Sequence, residues 1–272
     1  MSFVLYSNGK KIEDKISFQE LIAEEVGIFE SLRTYGDKIF REAEHLKRFM
    51  HSAKTAGVQV PEKTLLSREL NLALKAFSRE DRPRHDLFVR LTLWRKQIVV
   101  MVGTRKHAES IYKTGVRLKT SPVKRTHSNA SPAEIKTTAY QNSVLASLEP
   151  MDSKTYEWVF LDLNGYVTEV RIGNLFIVKA GALYTPPEPG ILNGVTRRFV
   201  IECATWKKIP VSEVPLMRHD VFNADEAFLT NTSWEILPVC ELDLRRIGQS
   251  LPGPITVKLQ NAFKQKVKHE CL

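Results

Sequence analysis

The stretch LDLNGYVTEVRIGNLF runs from Leu161 to Phe176 and carries the strongest structural signal in the chain. Asn164-Gly165 sits between two strand-like runs, Trp158 to Leu163 and Tyr166 to Val170. Asn and Gly tolerate positive φ, so the pair predicts a hairpin turn. Asn174 to Val178 and Ala182 to Tyr184 continue the strand pattern. Glu169 ends the second hairpin strand, and Arg171 follows two residues later. The bland reading of Glu169 is a strand-edge carboxylate paired with Arg171.

Reading outward, Ser121 to Pro132 holds Ser, Pro, Asn, Thr and basic residues without periodicity, as a linker would. Lys136 to Ser147 then fits a helix. On the other side, residues 190–198 read GILNGVTRR and run from a loop into a helix over Gly194 to Thr205. Asn193 could cap that helix. Alternatively, Gly194, Val195 and Thr196 could present N–H groups and a hydroxyl to an anion. Glu226 to Asn231 reads as a strand and Ile255 to Val267 as a final helix.

The N-terminal part mixes strands and helices. Phe3 to Ile12 predicts a hairpin at Asn8-Gly9, and Glu30 to Arg41 a second one at Gly36-Asp37. Leu46, Phe49, Met50 and Ala53 recur at helical spacing within Glu42 to Ala56, and Gly57 is a stop. A second helix is expected after Ser67, with Leu70, Ala73, Leu74 and Phe77 on one face. Phe88 to Trp94 and Ile98 to Val102 read as paired strands. The expected division is therefore a domain over 1–120, a linker over 121–132 and a second domain over 133–272.

Composition bounds the function classes. The chain has 272 residues, 43% hydrophobic and 26% charged, which suits two globular domains. Its net charge of +9 raises the question of polyanion partners. Yet the positive residues are dispersed. The densest run, Lys113 to Arg125, has no aromatic but Tyr112 beside it, whereas nucleic-acid surfaces add stacking rings. A solvated basic face, or steering of an anionic substrate, fits better. Cys203, Cys240 and Cys271 form no Cys-x-x-Cys pair, which argues against a disulfide framework or zinc site and fits a reducing cytoplasm. No stretch approaches the ~18 apolar residues of a membrane span, and the first residues do not read as a signal peptide. No Gly-x-Gly-x-x-Gly or P-loop pattern is present.

Taken in order, several blocks form one pattern. They are Gly27 to Arg33, Phe40 to Arg48, Ile135 to Ala146, Leu161 to Phe176, Tyr184-Thr-Pro186, Leu192 to Arg197, Ala224 to Ser233 and Ile236 to Val239. This order and spacing resemble the class IV aminotransferases. That family includes branched-chain aminotransferases, D-amino-acid aminotransferases and aminodeoxychorismate lyases. The resemblance implies a two-domain α/β fold of the type IV pyridoxal-phosphate enzymes. A smaller N-terminal α/β domain would precede a larger C-terminal pseudo-barrel.

The resemblance also implies roles. Lys136 would hold pyridoxal 5'-phosphate and shuttle the substrate's α-proton. Glu169 would face the pyridine nitrogen, and Tyr140 the ring's phenolic oxygen. Arg48, Val195, Thr196 and Thr232 would receive the phosphate. Arg90, Ser233 and Arg171 are the substrate-binding candidates. The expected reaction moves an amino group between an amino acid, by default a branched-chain L-amino acid, and a 2-oxo acid. A homodimer is the usual assembly. Two alternatives stay open: an aminodeoxychorismate lyase that eliminates pyruvate, and a non-catalytic basic binding protein on the same fold. Three departures bear on substrate. Acids occupy Glu24-Glu25 where Tyr-Gly is usual, residues 94–98 make a short turn without glycine, and Arg171 stands where small residues are common.

Overall fold

A computed structural model describes residues 3–7, 10–11, 27–80, 86–94, 96–127 and 132–271. The Asn8-Gly9 turn and the Glu24-Glu25 departure lie outside them. The chain divides into two compact units. The first comprises Met1–Lys106, Ile135–Ala139 and Val267–Leu272, and the second His107–Glu134 and Tyr140–Lys266.

The first unit contains β1 (Phe3–Ser7), β2 (Lys10–Lys11), β3 (Ile28–Tyr35), β4 (Lys38–Ile39), α1 (Glu42–Thr55), α2 (Lys63–Glu80), β5 (Leu87–Trp94) and β6 (Gln97–Thr104). Its antiparallel sheet has the order β2-β1-β6-β5-β3-β4. Strand side chains alternate between faces. Ile28 and Leu32 of β3, Val89, Leu91 and Leu93 of β5, and Val100 and Val102 of β6 share one apolar cluster with Leu46, Phe49 and Ala53 of α1 and Leu66, Leu70, Ala73 and Phe77 of α2. Helix α2 starts at Lys63, a turn earlier than its periodicity first shows. The buried Leu66 extends the Leu70-Ala73-Phe77 stripe by that turn. The β5–β6 turn is short, with Trp94 opposite Gln97.

Lys136 is not helical, contrary to the expectation from its apolar neighbours. Helix α4 begins only at Gln141, and Thr137 makes an antiparallel bridge with Ile28 at the start of β3. Phe29 donates its N–H to the Lys136 carbonyl at 3.0 Å, and Thr138 donates to the Gly27 carbonyl at 2.8 Å. Those bonds compete with helix formation and win. They also explain why Ile135–Ala139 belongs to the first unit rather than to the domain that follows it in sequence.

The second unit contains α3 (Glu109–Thr114), β7 (Val116–Thr120), α4 (Gln141–Leu148), β8 (Thr155–Leu161), β9 (Tyr166–Val170), β10 (Asn174–Lys179), β11 (Ala182–Thr185), α5 (Val195–Trp206), β12 (Val211–Glu213), β13 (Leu216–Met217), α6 (Arg218–Phe222), β14 (Glu226–Asn231), β15 (Glu235–Leu242) and β16 (Arg245–Arg246), with α7 (Pro254–Cys271) last. Strand β7 pairs in parallel with both β8 and β15, so it belongs to this sheet and not to the preceding domain. The sheet order is β12-β11-β10-β14-β15-β7-β8-β9-β13, with β16 on β15.

The sheet curls. Strands β9 and β10 are far apart in the strand order, yet Val170 and Gly173 bridge the end of one to the start of the other. The interior is an apolar cluster that includes Val159, Leu161, Val167, Val170, Leu175, Ile177, Leu229, Trp234 and Leu237. The Asn164-Gly165 hairpin is present. Its loop is closed by Asp162, which donates its N–H to the Tyr166 carbonyl and accepts the Asn164 and Tyr166 N–H groups on its side chain. Only Gly165 in that loop has positive φ, at 87°.

Gly173 marks where the curl tightens. A Cβ there would stand 2.7 Å from the Thr230 carbonyl oxygen and 3.1 Å from the Trp234 ring. Backbone cannot give way as a side-chain tip can. Gly173→Ala should therefore destabilise the protein by about 1–3 kcal/mol, read as a lower urea midpoint at unchanged slope.

Candidate active site

In the first unit, the site starts from β3 and α1. Phe29 and Glu30 are neighbours and so face opposite sides of the sheet. Glu30 faces the helices and is fully buried among apolar side chains. A lone carboxylate there would be costly. Arg48 and His45, one turn apart on α1, meet it. Arg48 donates from Nε to Oε1 at 2.6 Å and from its Nη2 to Oε2 at 2.8 Å. His45 Nδ1 lies 2.8 Å from Oε2.

Burial pushes the Glu30 carboxyl up, but Arg48, His45 and their hydrogen bonds outweigh it and hold it well below the usual carboxylate range. Burial pushes His45 below its ordinary 6.5, against the pull of Glu30. An ionised Glu30 only accepts, so a neutral His45 carries its proton on Nδ1. A packed structural role is the ordinary reading of a histidine at this place in the sequence, and this pairing is that role. The family resemblance assigns Arg48 to a phosphate, and here its fork is oriented by Glu30.

Phe29 faces the other side. The Lys136 Nζ stands 4.5 Å from the centre of its ring. The Arg90 guanidinium stands 3.8 Å from the same centre. Arg90 is opposite Ser31 across β3 and β5, which places it diagonal to Phe29 on that face. Two cations thus share one aromatic platform. Phe29 is absent from the sequence-derived candidates, because an apolar residue in a strand reads as core.

In the second unit, Glu169 does not pair with Arg171. It takes Arg125 at 2.8 Å on Oε1 and the Leu192 N–H at 3.0 Å on Oε2. Asn174 reaches the same Oε2 at 3.4 Å and donates to the Leu192 carbonyl at 2.9 Å. In the sequence Arg125 reads as one more cation in the basic run, and Asn174 only as part of a motif. Neither has a local signal for its partner. Arg171 turns instead to Glu157, at 3.0 Å from Nε to Oε1. Burial pushes the Glu157 carboxyl up, and Arg171 opposes that shift.

The Glu169 network continues into α5. The N-cap of α5 is Gly194, not Asn193, and a glycine has no side chain with which to cap the first turn. A Cβ at Gly194 would collide with the Asn174 side-chain oxygen. Val195 and Thr196 open the helix and are buried. Arg197 is buried too and donates from Nη2 to the Pro186 carbonyl at 2.9 Å and to Glu213 at 2.6 Å, which supports the loop.

Thr232 and Ser233 lie in the β14–β15 turn. Asn231 organises it by accepting the Ser233 and Trp234 N–H groups at 2.8 and 2.7 Å. The Ser233 hydroxyl is 2.8 Å from His107 Nε2. Tyr140 is the N-cap of α4, and its carbonyl accepts the Val144 N–H. Among the described residues, no His/Cys/Asp/Glu group could hold a metal ion.

Two outcomes follow from the Glu30 cluster. Glu30→Gln strands the part-buried Arg48 charge and should cost about 3 kcal/mol in urea unfolding at pH 7.5. His45 binds its proton more weakly folded than unfolded, so the stability it confers is present above 6.5 and lost as pH falls below it. Stability should decline between pH 7.5 and 5.5, and His45→Gln should flatten that decline.

Comparison with known proteins shows the family. The family described as amino-transferase class IV matches residues 27–242. The branched-chain-amino-acid aminotransferase of Pseudomonas aeruginosa is 34% identical over 258 residues, covering 88% of this chain and 83% of the relative. The branched-chain aminotransferase of Thermoproteus uzoniensis, solved with norvaline, superposes with a TM-score of 0.83 at 30% identity, covering 98% and 95% of the two chains. The T.th. branched-chain amino acid aminotransferase, solved with pyridoxamine 5'-phosphate, has a TM-score of 0.84 at 29% identity, covering 98% and 94%. Family match, chain-length similarity and fold agree: this chain belongs to the class IV aminotransferases, enzymes that use pyridoxal phosphate.

Proposed function

We propose that this enzyme moves the amino group of branched-chain L-amino acids to 2-oxo acids, with Lys136 as the cofactor-bearing amine. The observation that carries the cofactor assignment is the linkage of Glu169 through Leu192 and Asn174 to the loop that leads into α5, whose N-cap is Gly194. A pyridoxal phosphate needs a carboxylate at its ring nitrogen and an anion cup at its phosphate. One short network here supplies both.

The donor set fits the cofactor. Arg125 pairs with Glu169, and the Glu169 carboxylate would face the pyridine nitrogen and accept its hydrogen bond. The N–H groups of Val195 and Thr196 and the Thr196 hydroxyl suit a phosphate, with the helix dipole in support. Arg48 adds a fork already oriented by Glu30, and Thr232 a hydroxyl. Tyr140 offers its hydroxyl to the phenolic oxygen. Bound pyridoxal phosphate supplies the electron sink that lets an α-proton leave. The Lys136 amine would take that proton from the substrate α-carbon. Its neighbour Arg90 would hold the substrate carboxylate, and Ser233 would add a hydrogen bond. Arg171 has its Nε committed to Glu157, so any substrate contact falls to its terminal nitrogens.

The branched-chain substrate rests on the relatives, whose names agree on it. A homodimer is part of the proposal. Helix α4 leaves Val144, Leu145 and Leu148 exposed, the last at 76%. Such a contiguous apolar face suits a second copy. The three free cysteines suit a reducing cytoplasm.

Borohydride reduction of the protein purified with pyridoxal phosphate, followed by peptide mapping, should place the cofactor on Lys136. Scatter over surface lysines would overturn the assignment. Lys136→Ala should lower transamination by at least about 100-fold, the scale of a lost general base. Amino-donor screens should favour L-leucine, L-isoleucine or L-valine and require a 2-oxo acid acceptor. Pyruvate released from aminodeoxychorismate without any acceptor would favour the lyase instead.

A further inference from the structure

We infer that Ser52 is a positioning residue for Lys136, fixing the lysine's backbone to the helix that carries Arg48. This rests on the reading of Lys136 and Arg48 given above. Ser52 is on α1, is 1% exposed, and accepts the Lys136 N–H on its Oγ at 3.0 Å. His45, Arg48 and Ser52 follow one another at spacings of three and four, so they share one face of α1. That face otherwise buries Phe49 and Ala53. A helical serine commonly turns its hydroxyl to its own helix. This one meets a residue 84 positions away.

The bond completes a clamp. The Lys136 carbonyl is held by the Phe29 N–H, and Thr138 exchanges two bonds with Gly27, through its N–H and through its Oγ1. Those ties bind the segment to β3. The Lys136 N–H points to α1, and Ser52 is the partner that receives it. Helix α1 then sets two positions at once, the Arg48 fork and the base of the Lys136 side chain. A cofactor has a fixed length between its aldehyde carbon and its phosphate. Its two ends would meet Arg48, which α1 carries, and Lys136, whose N–H is tied to α1 through Ser52. A shift of about 1 Å at a reacting group can cost about 100-fold in rate.

The test uses the full-length holoenzyme. Ser52→Ala removes the acceptor without touching the Lys136 side chain. Peptide-resolved hydrogen exchange should show a faster Lys136 amide, and pyridoxal phosphate should leave about tenfold faster, the scale of one buried hydrogen bond. The value of kcat should fall while KM for the amino donor stays within about twofold, because substrate contacts are untouched. Ser52→Thr keeps the hydroxyl and should restore all three. Should Ser52→Ala fail to fold, Ser52→Cys, similar in size and a weaker acceptor, takes its place. Borohydride labelling on Lys136 with unchanged amide exchange, cofactor release and kcat in the variant would overturn this inference alone. Labelling away from Lys136 in the wild type would overturn the site reading and the inference with it.

Discussion

The segment Lys136 to Thr138 is stitched to the first residues of β3, and most of the first unit's polar arrangement follows from that seam. Backbone bonds run from Phe29 to Lys136 and from Thr138 to Gly27. Once the seam exists, Lys136 must lie beside Phe29, and its side chain meets the ring that Arg90 also covers. The residue next along β3, Glu30, must then face the helices. Strand alternation thus puts an amine on one side of the sheet and a carboxylate on the other. Neither side chain could be moved to its neighbour's position without turning the strand over.

A carboxylate on the apolar face is tolerated because α1 brings two partners to it. Arg48 supplies a bidentate fork and His45 a third hydrogen bond. Such a cluster adds little net stability over an apolar core. Its value is geometric. An arginine with four side-chain torsions is reduced to one orientation, and a neutral histidine is held in one tautomer. The second unit repeats the device. Glu169 is oriented by Arg125 and Leu192, and Arg171 by Glu157. In each pair a buried carboxylate fixes an arginine, or an arginine fixes a carboxylate.

The barrel-like curl depends on small residues at close approaches. Gly173 lets the β9–β10 bridge pass against Thr230 and Trp234, and Gly194 lets α5 start against Asn174. These two glycines are what keep Glu169, Asn174 and the start of α5 in one network. They fit where no side chain could.

Local chemistry makes much of this legible beforehand. The Asn164-Gly165 hairpin, helix α1 with its Leu46-Phe49-Ala53 stripe, strand β14 and the tight β5–β6 turn all depend on residues close in sequence. So does the order of motifs that marks Lys136, Glu169 and the loop into α5. Tertiary structure decided the rest. Lys136 is not helical because its backbone found β3, more than a hundred residues earlier. Strand β7 joined the second sheet because its partners, β8 and β15, lie downstream. Arg125 and not Arg171 holds Glu169, though Arg171 is the nearer in sequence. Phe29, Ser52 and Asn174 gave no signal, since an apolar strand residue, a helical serine and a strand-end asparagine are ordinary in isolation. Periodicity and turn chemistry act over a few residues and can be read from one chain segment. Pairing of buried charges and backbone edges is settled only when distant segments are brought together and each polar group must find a partner or bear the cost of desolvation.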